Sequence, residues 1–421
     1  MTALTEDICI AGGGLVGGTL AWALANAGYQ VRLIEPQAYV SEERPLLINE
    51  RSIALSAGSR VILSQLGLWD GLAGEPATIT DVHVSEKGRA GFTRLHAAEQ
   101  GVPALGYVVP SSLILRRLYG RLDGLANLRM EVGAVPAMPA QQSDRVTYRL
   151  QRSGEADSHG ACRLLLACDG TQSPLRSLLG IETRRNDYEQ VAVLANVQCE
   201  KPHQGVAYER FTDEGPLALL PLGERHMAMV YTVEADQLEA FLALSEAQML
   251  ASLQRRFGYR LGRFTAIGDR VTFPLALIDS SAQSRGRVLL MGNAARTLHP
   301  VSGQGFNLAL RDVAALLETL TKNGVLEDPG AASLLADFCA QRHRDQQNVV
   351  RFTDTLVRAF RGRRPLFSHL RALGLQGLDH VTPLKQIFTR HNMGMASRLP
   401  DLNPLQAQIR RNNAARQKVA S

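Results

Sequence analysis

The chain has 421 residues, of which 45% are hydrophobic and 20% charged. That is a globular composition: it excludes a mainly disordered or low-complexity protein, and no apolar run approaches the roughly 18 residues of a membrane span. The net charge of +6 is uneven, because residues 341–421 hold fifteen Lys and Arg against four Asp, a net +11, leaving −5 on residues 1–340.

A basic C-terminal fifth on a mildly acidic body points to an anionic partner such as lipid headgroups, nucleic acid or an acidic protein. The length suggests two or three domains, or one large α/β domain with an appendage. Glu6 and Asp7 precede the first apolar run, unlike a secretion signal. Cys9, Cys162, Cys168, Cys199 and Cys339 form no CxxC pair, so neither a disulfide framework nor a metal site is expected, and a reducing cytoplasm fits.

In chain order, residues 7–12 predict a buried strand, 15–28 a helix with Ala21, Leu24 and Ala25 on one face, and 30–35 a second strand. A strand is expected at 104–109, followed by a helix at 111–123 with Ser111 or Ser112 as N-cap. Strands follow at 145–151 and 161–168. From 190 to 233 the pattern alternates and is β-rich. A helix-like stretch at 236–256 precedes strands at 271–275 and 287–291. Helices dominate from about Phe306 onward.

Three motifs carry chemistry. The first, Gly12-Gly13-Gly14-Leu15-Val16-Gly17, is a GxGxxG between a strand and a helix. Gly12 permits the tight turn, Gly14 lets a pyrophosphate approach the backbone, and Gly17 lets the helix pack on the sheet. Phosphates would face free N–H groups and the positive end of the helix dipole. Glu35, at the end of the second strand, can accept hydrogen bonds from both ribose hydroxyls, which favours FAD or NAD over NADP. The bland alternative is a glycine-rich turn without ligand.

The second motif is an apolar strand, Leu164 to Ala167, ending in Cys168-Asp169-Gly170-Thr171, then Ser173 and Arg176. An ordinary Asp-Gly turn is its competing explanation. The third runs from Gly286 through Gly292-Asn293-Ala294-Ala295-Arg296-Thr297-Leu298-His299-Pro300-Val301-Ser302-Gly303-Gln304-Gly305-Phe306-Asn307. A strand ends in Gly-Asn, a glycine-containing loop follows, and a new helix aims its N–H groups at whatever lies before it. Such a corner suits the negative charge of a reduced flavin. His299 can be a base or a residue packed in the loop, and packing is the favoured alternative.

In this order the motifs resemble the FAD-dependent aromatic hydroxylases of the para-hydroxybenzoate hydroxylase type, over roughly residues 5–395. The family is expected to be α/β, with α+β character in the second domain. The resemblance implies a discontinuous Rossmann-like FAD-binding domain (1–75, 102–180, 273–345), an inserted β-rich substrate domain (76–101, 181–272) and C-terminal helices (346–400); the Gln-, Asn- and Arg-rich composition of 401–421 reads as a flexible basic tail. Carried over, Gly12, Gly14, Gly17 and Glu35 hold the ADP half. Arg51 matches an Arg near the flavin. Arg116 follows Leu115, which stands where many members hold a FAD-binding Gln. Asp169 and Gly170 fit the family DG motif. Gly292 and Asn293 stand at its Gly-Asp, with Asn in place of Asp. The loop Pro300, Val301, Ser302, Gly303, with Gln304, Gly305, Phe306 and Asn307, is expected against the flavin ring.

The string from Gly292 to Leu308 is similar to the ubiquinone-biosynthesis hydroxylases, most to those acting on 2-polyprenyl-6-methoxyphenol. That resemblance implies hydroxylation of a prenylated phenol to a benzoquinol, with FAD as cofactor, NAD(P)H as transient reductant, O2 as co-substrate and a flavin C4a-hydroperoxide as oxygen donor. Tyr208, Tyr231 and Arg210 are candidate ring contacts, against the plainer reading of packing or surface residues. Val349, Val350, Phe352, Leu356, Val357 and Phe360 stand at helical spacing among basic residues. They read either as a helical bundle on the FAD domain or as a surface for anionic membrane, which implies a peripheral position at the inner face of the cytoplasmic membrane. Other ubiquinone-biosynthesis proteins are implied partners; nucleic acid is not, since no recognised module accompanies the charge. The alternatives are a hydroxylase of another aromatic, a reductase of prenyl lipids, and a non-catalytic flavoprotein of a quinone-synthesis complex. A plain NAD dehydrogenase leaves the 292–307 motif unexplained.

Overall fold

The computed structural model describes residues 6–39, 47–72, 76–89, 91–212, 214–299, 303–322, 327–360, 374, 376–377 and 379–420. Its frame is a run of five parallel strands. In spatial order they are Val288–Leu290, Ser158–Ala167, Glu6–Ala11, Val31–Glu35 and Leu128–Val132. Ile8, Ile10, Leu164, Leu166, Leu289 and Met291 bury one face together with residues of the helices Leu15–Ala27 and Gln304–Lys322. Cys9, Ala11, Leu165, Ala167, Val288 and Leu290 bury the other, with Val146 and Tyr148 of an antiparallel extension. Burial on both faces is why these strands read as continuous apolar runs rather than alternating ones.

The parallel register decides where the motifs meet. Ala11 is level with Ala167, and Ala167 with Leu290. The segments after these residues therefore emerge at one edge, although they lie far apart in sequence. The first helix leaves this edge and stops at Gly28, whose φ of 111° is the left-handed value that glycine accepts without strain.

A second sheet of nine strands stands beside it. It is antiparallel apart from the pairing of Val206–Thr212 with Asp81–Glu86. It draws in Val271–Ser280 and Arg296–Thr297, so it extends past the expected boundary at residue 272. One face, with Val193, Leu217, Leu219, Met229 and Tyr231, is buried under Phe241, Met249, Leu253 and Phe257. These four belong to two helices, Leu238–Leu242 and Glu246–Phe257, not to the single expected stretch. The break occurs because Ser245 and Gln248 form a reciprocal capping box that starts the second helix.

Two other expectations are corrected. The helix Ser111–Leu122 has Pro110 at its N-cap and no side-chain cap; the Ser112 hydroxyl instead donates to Glu50 Oε1. Residues 403–420, expected within a flexible basic tail, form a helix, Asn403–Ala420. Leu402 and Leu405 are fully buried in the core shared with the first helix. Asn412 Nδ2 donates to Asn26 O at 3.0 Å, and Gln406 Nε2 to Gln65 O at 2.8 Å. Among the described residues no helix is long and apolar enough to cross a membrane.

Candidate active site

The first glycines are shaped by close approach. A Cβ on Gly17 would lie 1.8 Å from Gly12 O, and one on Gly12 would lie 2.5 Å from Cys168 O. Gly12 also holds φ at 99°. Gly14 differs: a Cβ there would meet nothing within 4 Å, because this residue borders open space. It is also the N-cap of the first helix and makes no side-chain cap, so the helix presents its N–H groups outward. Glu35 Oε2 accepts from Gly13 N at 2.5 Å and Oε1 from Gln37 N at 3.1 Å. Tyr119 donates to Gly13 O at 3.0 Å and stacks on Tyr39. Burial, with the Glu35 charge nearby, pushes the Tyr119 hydroxyl up to about 12, which keeps it a donor.

The second and third motifs are tied by one side chain. Arg176 is buried, and its Nη1 and Nη2 donate to Ala294 O and Thr171 O, each at 2.9 Å. The Thr171 and Thr297 hydroxyls meet at 3.1 Å. Asp169 Oδ2 accepts from Leu175 N at 3.1 Å, whereas Oδ1 is buried with no hydrogen-bond partner among the described residues. Burial raises the Asp169 carboxyl. Asn293 is exposed and lines the same open space. Arg296 is turned away, bonded to Asp279 at 2.7 Å.

The start of the helix Gln304–Lys322 departs from its expected roles. Asn307 Nδ2 donates to Ala54 O at 3.0 Å and Gly303 O at 2.6 Å; Oδ1 accepts from Ser56 N and the Ser59 hydroxyl. Its polar atoms are thus taken by the protein, and it anchors the loop instead of a ligand. Gln304 is buried, with Nε2 3.3 Å from Asn392 O, so its side chain also serves the fold. Gly303, Gly305 and Phe306 do border the cavity. Pro300, Val301 and Ser302 lie outside the described residues. His299 is buried edge-on to Tyr188, and burial lowers it to about 4, so it is neutral at neutral pH and packs as the plainer reading expected.

Arg116 and Arg51 diverge. Arg116 Nε is buried without a hydrogen-bond partner among the described residues. Arg51 is exposed at the start of the strand Ser52–Ser56, and its carbonyl receives Ser111 N at 2.8 Å.

The motifs open on a cavity of about 1170 Å³. From Gly14, Asn293 and Gly303 it runs under the free face of the second sheet, past Leu194, Leu220, Val230 and Phe273. Strand alternation separates the candidate ring contacts. Tyr231 is on the helix-covered face, its hydroxyl 2.7 Å from Glu214 Oε2. The Arg210 Nε donates to Arg256 O at 2.9 Å. Tyr208 packs edge-on to Phe257 and also lines the cavity. The residue between Tyr208 and Arg210, Glu209, lines the cavity as well. Alternation predicts that one of the two sets faces inward, but only the placement of the covering helices says which.

An FAD fits these residues. The Gly12–Gly17 cradle leaves open space at Gly14, Gly170 and Asn293 line the same cavity, and Asp169 Oδ1, next to Gly170 in sequence, is buried without a hydrogen-bond partner among the described residues. The FAD binding domain family matches residues 5–353. The chain is 36% identical to the ubiquinone hydroxylase UbiL of Rhodospirillum rubrum, across 92% of this chain and 89% of that one. It is 29% identical to the 3-demethoxyubiquinol 3-hydroxylase of Escherichia coli, across 94% and 100%. The crystal structure of p-nitrophenol 4-monooxygenase PnpA from Pseudomonas putida DLL-E4 superposes with a TM-score of 0.77 at 18% identity, covering 94% of this chain and 100% of that one. The chain thus belongs to the FAD binding domain family and is an FAD-dependent aromatic monooxygenase of its ubiquinone-hydroxylase branch.

Proposed function

We propose that the enzyme hydroxylates 2-polyprenyl-6-methoxyphenol to its benzoquinol in ubiquinone biosynthesis, using NAD(P)H and O2. The cavity carries this reading. One end is backbone and polar groups of the three motifs; the other is aliphatic and aromatic and extends to the helix Thr382–Asn392. There Leu384 and Ile387 line the cavity yet are 52% and 65% exposed. A phenol ring suits the enclosed part, and a long hydrocarbon tail suits a way out over these side chains. The names of the bacterial relatives support the ubiquinone part.

Bound FAD supplies electron storage and oxygen activation. Gly12, Gly14 and Gly17 would hold its pyrophosphate against the helix N-terminus, Glu35 its ribose, and Arg116, Asp169 and Asn293 the remaining polar groups. Leu194, Leu220, Val230 and Phe273 orient the ring and exclude water from the reacting atoms.

The tail exit also suits a membrane-held substrate. A lipid surface would receive Leu384 and Ile387, with the basic C-terminal residues drawing the protein to anionic headgroups at the inner face of the cytoplasmic membrane. Other ubiquinone-biosynthesis proteins are natural neighbours there.

A second substrate, 3-demethoxyubiquinol, is favoured by the name of the E. coli relative. Purified enzyme is assayed with NAD(P)H and short-chain forms of both compounds, with products identified by mass spectrometry. Coupled hydroxylation of the 6-methoxyphenol supports the first reading. Hydroxylation of the demethoxyubiquinol alone transfers the assignment to the second. Turnover of neither sinks both.

A further inference from the structure

Glu209 is the titratable group that the functional reading leaves unused. It lies on the strand Val206–Thr212, between Tyr208 and Arg210, which serve the opposite face. Its own face carries Ala207 and Phe211 along the strand, Ala218 on one neighbouring strand and Val84 on the other. All five line the cavity. Among the described residues no cation and no hydrogen-bond donor reaches the Glu209 carboxylate.

A lone carboxylate in an apolar wall is costly to the fold unless the site uses it. The other titratable groups nearby are few. Glu86 shares the face two positions beyond Val84, opposite Phe211. Tyr208 and His391 border the cavity elsewhere. Burial, and then the nearby Arg260, Arg94 and Arg210, lower His83. Glu209 is half-buried because the cavity reaches it, but dense surroundings withdraw it from bulk water. That desolvation alone pushes its carboxyl up to about 7.

We propose that Glu209 is the general base for the phenolic substrate: its carboxylate accepts the phenol O–H while the ring attacks the oxygen donor. The inference rests on the functional reading above. The phenolic proton passes to a Glu209 carboxylate oxygen, and the O–H electron pair moves into the ring, making the carbons ortho and para to it nucleophilic. The new C–O bond forms at such a carbon as the O–O bond of the oxygen donor breaks, its second oxygen leaving with the electron pair, and the product is a ring ketone. When the C–H proton of that carbon leaves to water and the ring re-aromatises, Glu209 returns its proton to the original oxygen. One atom of O2 ends in the product and the other in water, and NAD(P)H supplies the two electrons. A base whose affinity for protons lies near neutrality is well matched to such a transfer.

The test compares wild type with Glu209→Gln and Glu209→Asp, all loaded with FAD, on a short-chain 2-prenyl-6-methoxyphenol. In wild type kcat/KM is expected to rise with pH through a limb near 7. Glu209→Gln should lose about 100-fold or more in kcat/KM, and the limb with it. Glu209→Asp should keep the limb with part of the rate, and covers the case in which Gln disturbs folding. Infrared difference spectra give a readout without turnover. A protonated-carboxyl band titrating near neutrality should be present in wild type, shift when the phenol binds, and be absent in Glu209→Gln. A Glu209→Gln enzyme with wild-type rate and pH profile overturns the inference alone. Wild type that turns over no prenylated phenol overturns the functional reading, and the inference with it.

Discussion

Asn307 Oδ1 accepts the Ser56 backbone N–H at 2.8 Å, joining two residues 251 positions apart. With Ser59, Ala54 and Gly303 also bonded to it, this amide ties the strand Ser52–Ser56 to the loop that opens the helix Gln304–Lys322. Asn307→Ala leaves several buried polar groups without partners, at about 1–3 kcal/mol for each that stays dry. The expected result is a lower urea midpoint and weaker flavin retention on gel filtration. Unchanged stability would show that water replaces the amide.

Gly14 and Gly17 should separate folding from cofactor binding. Gly17→Ala drives a methyl onto Gly12 O and should destabilise the flavin-free protein. Gly14→Ala meets no protein atom within 4 Å, so the flavin-free protein should keep its thermal midpoint. Its methyl would instead occupy the space of the pyrophosphate, and FAD affinity should fall at least about tenfold, or about 1.4 kcal/mol. Fluorescence titration with FAD and thermal melts of both variants give the comparison.

Arg176 holds the carbonyls of Thr171 and Ala294 in a buried position. Arg176→Met should cost about 2–4 kcal/mol by stranding both acceptors and should loosen the DG loop from the Gly-Asn loop. Both loops border the cavity, so FAD dissociation should quicken. A stable variant with normal flavin release would show that the two loops stay in place without the clamp.

His299 and His83 predict acid sensitivity. Both are buried and lowered to about 4, against an ordinary 6.5. Between these values the unfolded chain binds more protons than the folded one. Their stabilisation is therefore complete above about pH 6.5 and falls as the pH drops towards 4, by up to about 3 kcal/mol for each. Urea unfolding at a series of pH values should show this loss. His299→Gln and His83→Gln should each remove part of the slope; an unchanged slope would assign it to the carboxylates.

Ile387 tests the tail exit. Ile387→Glu places a charge where the hydrocarbon chain would leave. KM for a long-chain prenylphenol should rise several-fold while KM for a short-chain analogue stays put. Flotation with anionic vesicles should weaken in parallel. Equal effects on both substrates would place Ile387 in folding rather than tail binding.

Much of the nucleotide half was legible because local rules govern it. Glycines fit where backbones nearly touch, an acid ends the second strand, and buried parallel strands must be apolar on both faces. The chain from Leu402 was misread because its polar composition describes exposure and says nothing of what lies beneath. Leu402 and Leu405 find a core only when the helices before them are in place.

The sequence by itself determined the βαβ opening, the three motif loops and the family they resemble. Each depends on spacing within a short segment. Tertiary structure alone decided that these loops share one edge, through the register of Ala11, Ala167 and Leu290. It also decided that Asn307 serves the loop and that Glu209, unlike Arg210, lines the cavity. Alternation offers two equivalent faces to every strand. The helices Leu238–Leu242 and Glu246–Phe257 remove that equivalence by burying one of them.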